Sequence, residues 1–313
     1  MGSAGRRHAR FLVELGHSVV AYDPEDYPLT AKIVAAASAA EAVAAADAAV
    51  IASPSASHAD HAASVLAAGR PVLVEKPLAT SVAEGHRLVE LAHRRGAVAG
   101  VAMNLRFHPG VLLLKELLKE GRLGRPLLGK AWFGYDLRQW RPGSDYRRSY
   151  SARADLGGGI LLDAVHELDY LTWLLGPVAE LSARMEHVSN LETDVEDLVL
   201  AMLKFETGAL GSVDLNFFEP AYRRGCLIAG ADAAASWDWN LGTVTVRRAG
   251  LSDETIAVPG DVEATYRAEL VDFLDAVEED REPRASLEAG VAVLRVVEAI
   301  RESSAQRRTS MVG

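Results

Sequence analysis

The chain has 313 residues, of which 49% are hydrophobic and 24% charged, so it is long enough for two domains that each bury a core. Its net charge of −10 argues against a nucleic-acid partner, and the absence of a long apolar run argues against a membrane partner. The single cysteine, Cys226, excludes an internal disulfide and a multi-cysteine zinc site, which favours a reducing, cytoplasmic location.

The first hundred residues alternate short apolar runs with Ala-rich helical stretches. Strands are predicted over 18–22, 48–52, 71–74 and 97–102, and helices over 6–15, 39–46, 59–68 and 82–94. Strands that are apolar throughout and separated by helices indicate a parallel sheet covered on both faces. The sequence therefore predicts an α/β protein whose first domain, residues 1–103, contains such a parallel sheet.

The pattern changes after Asn104. It predicts a helix over 111–120, a strand over 127–137, an unpatterned stretch over 138–155, one helix over 158–175, strands over 178–188, 195–205, 209–218, 225–229 and 243–248, and closing helices over 264–279 and 286–304. Strands joined by short turns indicate antiparallel pairing. Residues 104–313 are therefore expected to form an α+β domain with a large, mostly antiparallel sheet.

A glycine-rich start precedes the first predicted helix and is the candidate pyrophosphate site, formed by Gly2, Ser3, Ala4 and Gly5. Glycines there let the backbone approach a phosphate at the helix N-terminus. Only the last two glycines of the G-x-G-x-x-G pattern are present, and no first Rossmann strand precedes them. Read alone, a glycine-rich start is more often just a flexible terminus. We favour a start at an internal methionine, Met1, over a shortened chain with damaged cofactor binding.

Asp23 lies about 20 residues beyond these glycines, at the end of a predicted strand. Rossmann folds place an acid there to bind the adenosine ribose hydroxyls. Because a carboxylate repels a 2′-phosphate, Asp23 favours NAD over NADP. The alternative is an ordinary loop aspartate.

Four further segments occur in a characteristic order: 53–58 (SPSASH), 69–77 (GRPVLVEKP), 104–109 (NLRFHP) and 157–169 (GGGILLDAVHELD). Together they resemble the glucose-fructose oxidoreductase and inositol dehydrogenase family (Gfo/Idh/MocA), and the resemblance covers nearly the whole chain. It implies an NAD-dependent oxidoreductase that acts on a hydroxyl of a sugar or polyol. Residues 1–103 would be its Rossmann, NAD-binding domain, and residues 104–313 its substrate-binding and oligomerisation domain. The large sheet of the second domain would join subunits into a homodimer or homotetramer. The resemblance also implies cofactor-binding roles for Ser53, Pro54, His58, Glu75, Lys76 and Asn104.

The resemblance assigns the catalytic centre to Lys76, at the carboxyl end of a predicted strand, where a cation can bind the reacting oxygen. The alternative is a solvated lysine. His166 is the candidate general base because the ordinary pKa of histidine lies near neutrality. Asp163 precedes it by three residues on the predicted helix, where the family has a spacing of four. In the alternative interpretation, Asp163 starts a helix and His166 only packs.

An arginine- and tyrosine-rich stretch lies before the Gly157–Gly159 run. The candidate substrate-binding residues are Lys76, Arg106, Trp140, Arg141, Tyr146, Arg147, Tyr150, Asp163 and His166. Arginine forks bind anionic groups and aromatic faces pack on sugar rings. A solvated loop whose arginines pair with Asp145 and Asp155 is an equally weighted alternative. No metal-ligand spacing is present.

Three functions remain open from the sequence. The first is a dehydrogenase for a secondary hydroxyl of a sugar, polyol or sugar derivative. The second is a glycoside hydrolase that oxidises its substrate transiently while NAD stays bound. The third is a non-catalytic sugar- or nucleotide-binding protein. Net accumulation of NADH separates the first from the second.

Overall fold

The computed structural model describes residues 2–25 and 32–313, so the expectation that concerns Met1 lies outside it. The chain forms two compact units. The first contains the residues up to Asn104 together with Glu263–Val291, and the second contains Leu105–Val262 and Ala292–Gly313. The sequence-based division placed Asn104 and residues 263–291 in the second domain, whereas the structure places both in the first unit.

The α-helices are α1 Ser3–Glu14, α2 Ala39–Ala45, α3 His58–Ala67, α4 Val82–Arg95, α5 Pro109–Lys119, α6 Ile160–Asp163, α7 Val165–Leu175, α8 Val262–Glu278 and α9 Leu287–Gln306. The strands are β1 Val19–Ala21, β2 Ile33–Ala35, β3 Ala49–Ile51, β4 Val72–Glu75, β5 Ala99–Ala102, β6 Pro126–Gly134, β7 Val178–Glu186, β8 Leu198–Phe205, β9 Leu210–Asn216, β10 Arg223–Gly230, β11 Ala234–Asp238, β12 Thr243–Arg247, β13 Glu254–Ala257 and β14 Ser310–Met311. Among the described residues, no helix is both long and apolar enough to cross a membrane.

The strands β1 to β5 of the first unit pair in parallel. β1 pairs with β2, and β3, β4 and β5 form a second sheet in that order. Helix α1 packs against both β1 and β3. A Rossmann sheet places the strand that leads into the first helix between these two strands. In residues 2–25 and 32–313, no strand pairs with the inner edges of β1 and β3.

The core of this unit joins α1, the sheet and α8. Phe11 of α1 packs with Leu73 and Ala102 of the sheet and with Leu270 and Phe273 of α8. Each side chain is at most 3% exposed. Burying a leucine or phenylalanine contributes about 1.5–3 kcal/mol, so this cluster ties α1 and α8 to the strand that ends at Glu75.

The second unit is built on a nine-stranded sheet of order β13-β12-β11-β10-β6-β9-β8-β7-β14. Every neighbouring pair is antiparallel except β6 and β9, which confirms the predicted mostly antiparallel sheet. Helix α7 packs on β6. Side chains of β8 alternate between buried and exposed, as expected of a strand with one covered face.

The prediction of one helix over 158–175 was wrong, because two helices lie in this range. Helix α6 ends at Asp163, Ala164 leaves helical geometry with φ −100° and ψ 33°, and α7 begins at Val165. The prediction followed the apolar pattern, which runs through Ala164 without interruption. The preceding stretch contains four short 3₁₀ turns instead of regular structure.

Candidate active site

The N-terminus of α1 fits the pyrophosphate of a dinucleotide. Gly2 is the N-cap residue; it makes no side-chain cap and the first turn carries no acidic residue. A Cβ added at Gly2 would meet nothing within 4 Å. The first backbone N–H groups of a helix lack intrahelical partners and lie at its positive end. Residues Ser3, Ala4 and Gly5 therefore present donors at an open, uncapped terminus.

Asp23 follows β1 and is partly exposed. Its Oδ1 accepts a hydrogen bond from the backbone N–H of Glu25 at 3.0 Å, which orders the turn that carries the carboxylate. An ordered carboxylate after the strand next to α1 fits the predicted contact with ribose hydroxyls.

His58 is buried and its ring lies between two loops. Nδ1 is 2.7 Å from the carbonyl oxygen of Pro77, and Nε2 is 2.8 Å from that of Ser53. Burial lowers the pKa of His58, which keeps the ring neutral at pH 7, so only one of the two nitrogens donates at a time. This placement favours a role in holding the Ser53–Pro54 loop against the Pro77 loop over the predicted direct contact with cofactor.

Lys76 directly follows β4, whose four residues are all buried. The Lys76 side chain is partly exposed, its backbone N–H donates to Oε2 of Glu75 at 3.2 Å, and its peptide bond to Pro77 is cis. Glu75 is buried, and its Oε1 lies 2.8 Å from Nε2 of His8 in α1. The lysine thus stands at the carboxyl end of a buried parallel strand, where open α/β sheets bind their ligands.

Two contacts of this unit were missed by the sequence analysis. Asn104 is 2% exposed, and its Nδ2 donates to Oγ1 of Thr265 in α8 at 2.7 Å. The second is the contact between His8 and Glu75. The position of His8, three residues before Phe11 on a helix, indicates that its side chain faces the core.

In the second unit, Asp163 and His166 are each 6% exposed. They lie on either side of the break at Ala164, so they are not on one continuous helix as the sequence predicted. The hydroxyl of Tyr150 donates to Oδ1 of Asp163 at 2.5 Å. Burial and the charge of Asp163 raise the pKa of Tyr150, which keeps the phenol protonated as a donor.

The glycine run before α6 allows two close approaches. A Cβ on Gly158 would lie 2.2 Å from the carbonyl oxygen of Tyr150. Gly159 has φ +107°, and a Cβ there would lie 2.3 Å from Oε1 of Glu196. That same oxygen accepts from the backbone N–H of Leu161 at 3.1 Å. The run therefore lets the Tyr150 segment and Glu196 pack against the start of the helix that carries Asp163.

Arg106 is buried and its guanidinium binds both carboxylate oxygens of Asp169, with distances of 2.7–3.1 Å. Asp169 has no exposed side-chain surface. A buried arginine that lost this partner would leave an uncompensated charge. The placement favours a structural role for Arg106 over the predicted contact with substrate.

The remaining substrate candidates fall into two groups. Arg141 lies over the ring of Tyr150, with its guanidinium carbon 5.4 Å from the ring centroid. Arg147 instead pairs with Asp145 at 2.8 Å and with Glu192 at 3.0 Å, as the solvated-loop alternative expects. The hydroxyl of Tyr146 accepts from the backbone N–H of Glu192.

Trp140 is only partly buried, and it packs edge-on against Phe133 and Phe217. Its indole N–H donates to the carbonyl oxygen of Tyr135 at 3.1 Å. No group of three potential metal ligands occurs among residues 2–25 and 32–313.

Two family models match the chain: "Oxidoreductase family, NAD-binding Rossmann fold" over residues 2–103, and "GFO/IDH/MocA C-terminal domain" over residues 111–236. Among curated relatives, 1,5-anhydro-D-fructose reductase of Ensifer adhaerens is 26% identical over 245 residues, which is 75% of this chain and 70% of the relative. Inositol 2-dehydrogenase 2 of Saccharopolyspora erythraea is 30% identical over 279 residues, which is 85% of this chain and 76% of the relative. The solved structure of levoglucosan dehydrogenase in complex with NADH shares the fold, with a TM-score of 0.88 and 22% identity over 100% of this chain and 97% of that one. The chain therefore belongs to the GFO/IDH/MocA family of oxidoreductases, whose N-terminal domain is an NAD-binding Rossmann fold.

Proposed function

We propose that this oxidoreductase is an NAD-dependent dehydrogenase that oxidises a secondary hydroxyl of a sugar, polyol or sugar derivative. The observation that carries the proposal is the position of Lys76, directly after a buried parallel strand, with its backbone N–H bonded to Glu75. The names of the relatives support the substrate class, because they specify an anhydrofructose, an inositol and levoglucosan.

The first unit would hold the cofactor, which supplies the acceptor for the hydride. The uncapped N-terminus of α1, at Gly2–Gly5, would bind its pyrophosphate, and Asp23 would bind the adenosine ribose hydroxyls. A carboxylate at this point disfavours a 2′-phosphate, which supports NAD over NADP.

Oxidation removes a proton from the hydroxyl oxygen and a hydride from its carbon, which leaves a carbonyl. The ammonium of Lys76 would donate a hydrogen bond to that oxygen and stabilise the negative charge that develops on it. His166 would accept the hydroxyl proton as general base. Asp163, held by Tyr150, would stabilise the resulting imidazolium and orient the ring.

Arg141, Trp140, Tyr146 and Tyr150 remain our candidates for contacts with the hydroxyl-rich or anionic substrate. Arg141 is the strongest of them, since its guanidinium lies over the Tyr150 ring and is not paired with Asp145 or Asp155.

The test is a screen of sugars, inositols and sugar nucleotides with NAD, followed by absorbance of NADH. Net accumulation of NADH supports the dehydrogenase and counts against a hydrolase that recycles its cofactor. The matched variant is Lys76→Ala, which should abolish turnover and keep NADH binding. Undiminished turnover in that variant would remove Lys76 from the mechanism.

We further propose that the chain assembles into a homodimer or homotetramer through its large sheet. Four apolar side chains support this, since they stand exposed on the strands β8, β9 and β14: Leu200 at 45%, Met202 at 68%, Leu210 at 55% and Met311 at 68%. Exposed apolar groups on a sheet face, with polar residues around them, are a feature of interaction surfaces. A reducing, cytoplasmic location is supported by Cys226, which is buried and free.

A further inference from the structure

His8 lies on the buried face of α1, one turn before Phe11, and is 2% exposed. Its Nε2 is 2.8 Å from Oε1 of Glu75, which is 9% exposed. Two residues that are 67 positions apart thus form a buried polar pair between the first helix and the end of β4.

The carboxylate of Glu75 extends this contact to Lys76. While Oε1 is bonded to His8, Oε2 accepts the backbone N–H of Lys76 at 3.2 Å. Burial raises the pKa of Glu75, but the hydrogen bond from His8 and the charge of Lys76 outweigh it and hold the pKa below its usual range. The carboxylate is therefore ionised at neutral pH and accepts on both oxygens.

The position of His8 is itself fixed by its neighbours on α1. The guanidinium carbon of Arg7 lies 3.8 Å from the ring centroid of Tyr266 in α8. Phe11 packs on Leu270 and Phe273 of the same helix. Because α1 is held in place on both sides of His8, the His8 ring has a fixed position. It can therefore orient the carboxylate of Glu75.

We propose that His8 is a positioning residue for Lys76, acting through the Glu75 carboxylate, and that it links the helix that would bind the pyrophosphate to the backbone of the lysine. This proposal rests on the role in dehydrogenation proposed above for Lys76. His8 itself is assigned no contact with substrate or cofactor. Its effect is to fix the direction in which the Lys76 side chain leaves β4.

Stability alone is a weak reason for this pair. Replacing a buried ionic or polar pair with apolar residues of similar volume is often neutral or stabilising, because burial removes both groups from water. A pair that only held α1 to β4 would be dispensable beside the Phe11 cluster. The geometry instead directs the second carboxylate oxygen to the backbone donor of Lys76.

The test compares three variants of the full chain. His8→Ala removes the donor, His8→Gln keeps an amide nitrogen at the reach of Nε2, and His17→Ala changes an exposed histidine just beyond the same helix. The readouts are amide hydrogen exchange at Lys76 by NMR, NADH affinity by fluorescence titration, and kcat and KM for the substrate found by the screen.

In His8→Ala we expect amide exchange at Lys76 to rise at least about tenfold and kcat to fall about tenfold, the range of a lost hydrogen bond to a charged group. KM and NADH affinity should stay within about threefold, because no ligand contact is removed. His8→Gln should recover most of both effects, and His17→Ala should show neither.

Unchanged exchange at Lys76 in His8→Ala would overturn the proposal whatever the activity. An equal loss of kcat in His8→Gln and His8→Ala would also overturn it, since that pattern indicates packing and not a hydrogen bond. Faster exchange in a chain that oxidises no substrate would uphold the positioning contact and reject the proposed dehydrogenase function. The two failures are therefore distinguishable.

Discussion

The hydroxyl of Tyr150 donates to Oδ1 of Asp163 across 2.5 Å, from a 3₁₀ turn to the last residue of α6. Because burial keeps the phenol protonated, this bond holds one carboxylate oxygen of Asp163 in a fixed direction. A carboxylate fixed in this way is suited to orienting a neighbouring base.

Replacing Tyr150 with phenylalanine removes that donor and keeps the ring. We expect kcat to fall about tenfold, the cost of one hydrogen bond to a charged acceptor, with a smaller change in KM. The control is Tyr135→Phe, whose hydroxyl donates to the carbonyl oxygen of Gln139 in an exposed contact. The measurement is the steady-state rate of each variant. Equal rates would argue that Tyr150 does not assist Asp163 and His166 in accepting the proton.

Arg141 and Arg147 form a natural pair for testing substrate recognition. Arg141 lies over Tyr150, whereas Arg147 is held by Asp145 and Glu192. Arg141→Ala should raise KM about tenfold, and Arg147→Ala should leave it within about twofold, since exposed ion pairs contribute little. Michaelis constants for the best substrate of the screen are the measurement. A larger effect at Arg147 would reverse the assignment.

The parts of the fold that follow from local pattern were predictable. Strand β4 is buried throughout and the sequence 71–74 is apolar throughout, so its place in a parallel sheet could be read directly. Strand β2 was missed because its three residues lie beside an Ala-rich helix and show no alternation. The strands β11 and β13 are short, and tertiary pairing decides such segments more than propensity does.

The candidate site residues were also only partly predictable from the sequence. The motif around Lys76 was identified from its order of residues, but the hydrogen bonds of His58 and Arg106 were not. Both side chains are engaged by atoms distant in sequence: His58 by the carbonyl of Pro77, Arg106 by Asp169. A motif specifies which residue types recur, and only the packed chain determines which atoms they contact.

His108 should make stability depend on pH. Burial and the charge of Arg224 lower the pKa of His108 from its ordinary value of 6.5 to about 4. Between these values the unfolded chain binds a proton that the folded chain does not, so stability is complete above pH 6.5 and falls as the pH approaches 4. The slope is about 1.4 kcal/mol per pH unit within that window.

The measurement is urea unfolding of the protein and of His108→Asn at several pH values. Asparagine retains an acceptor for the backbone N–H of Gly110, which His108 caps at the start of α5, but it does not titrate. The difference in unfolding free energy between the two proteins should therefore change between pH 6.5 and 4 and be flat above. A constant difference over the whole range would contradict the lowered pKa.

The proposed assembly through the exposed face of β8 and β9 can be tested by one substitution that introduces a charge. Met202 stands opposite Ser182 on β7 and Ser212 on β9, on the exposed side of β8, and is 68% exposed. Met202→Glu would bury an unpaired carboxylate in any interface formed there, which costs several kcal/mol per copy and disrupts a symmetric dimer twice over. Leu241→Glu is the matched control, since Leu241 is 73% exposed in the turn between β11 and β12. Light scattering should show the mass of a single chain for Met202→Glu and an unchanged assembly for Leu241→Glu. If both variants keep the mass of the unaltered protein, the subunits associate through another surface.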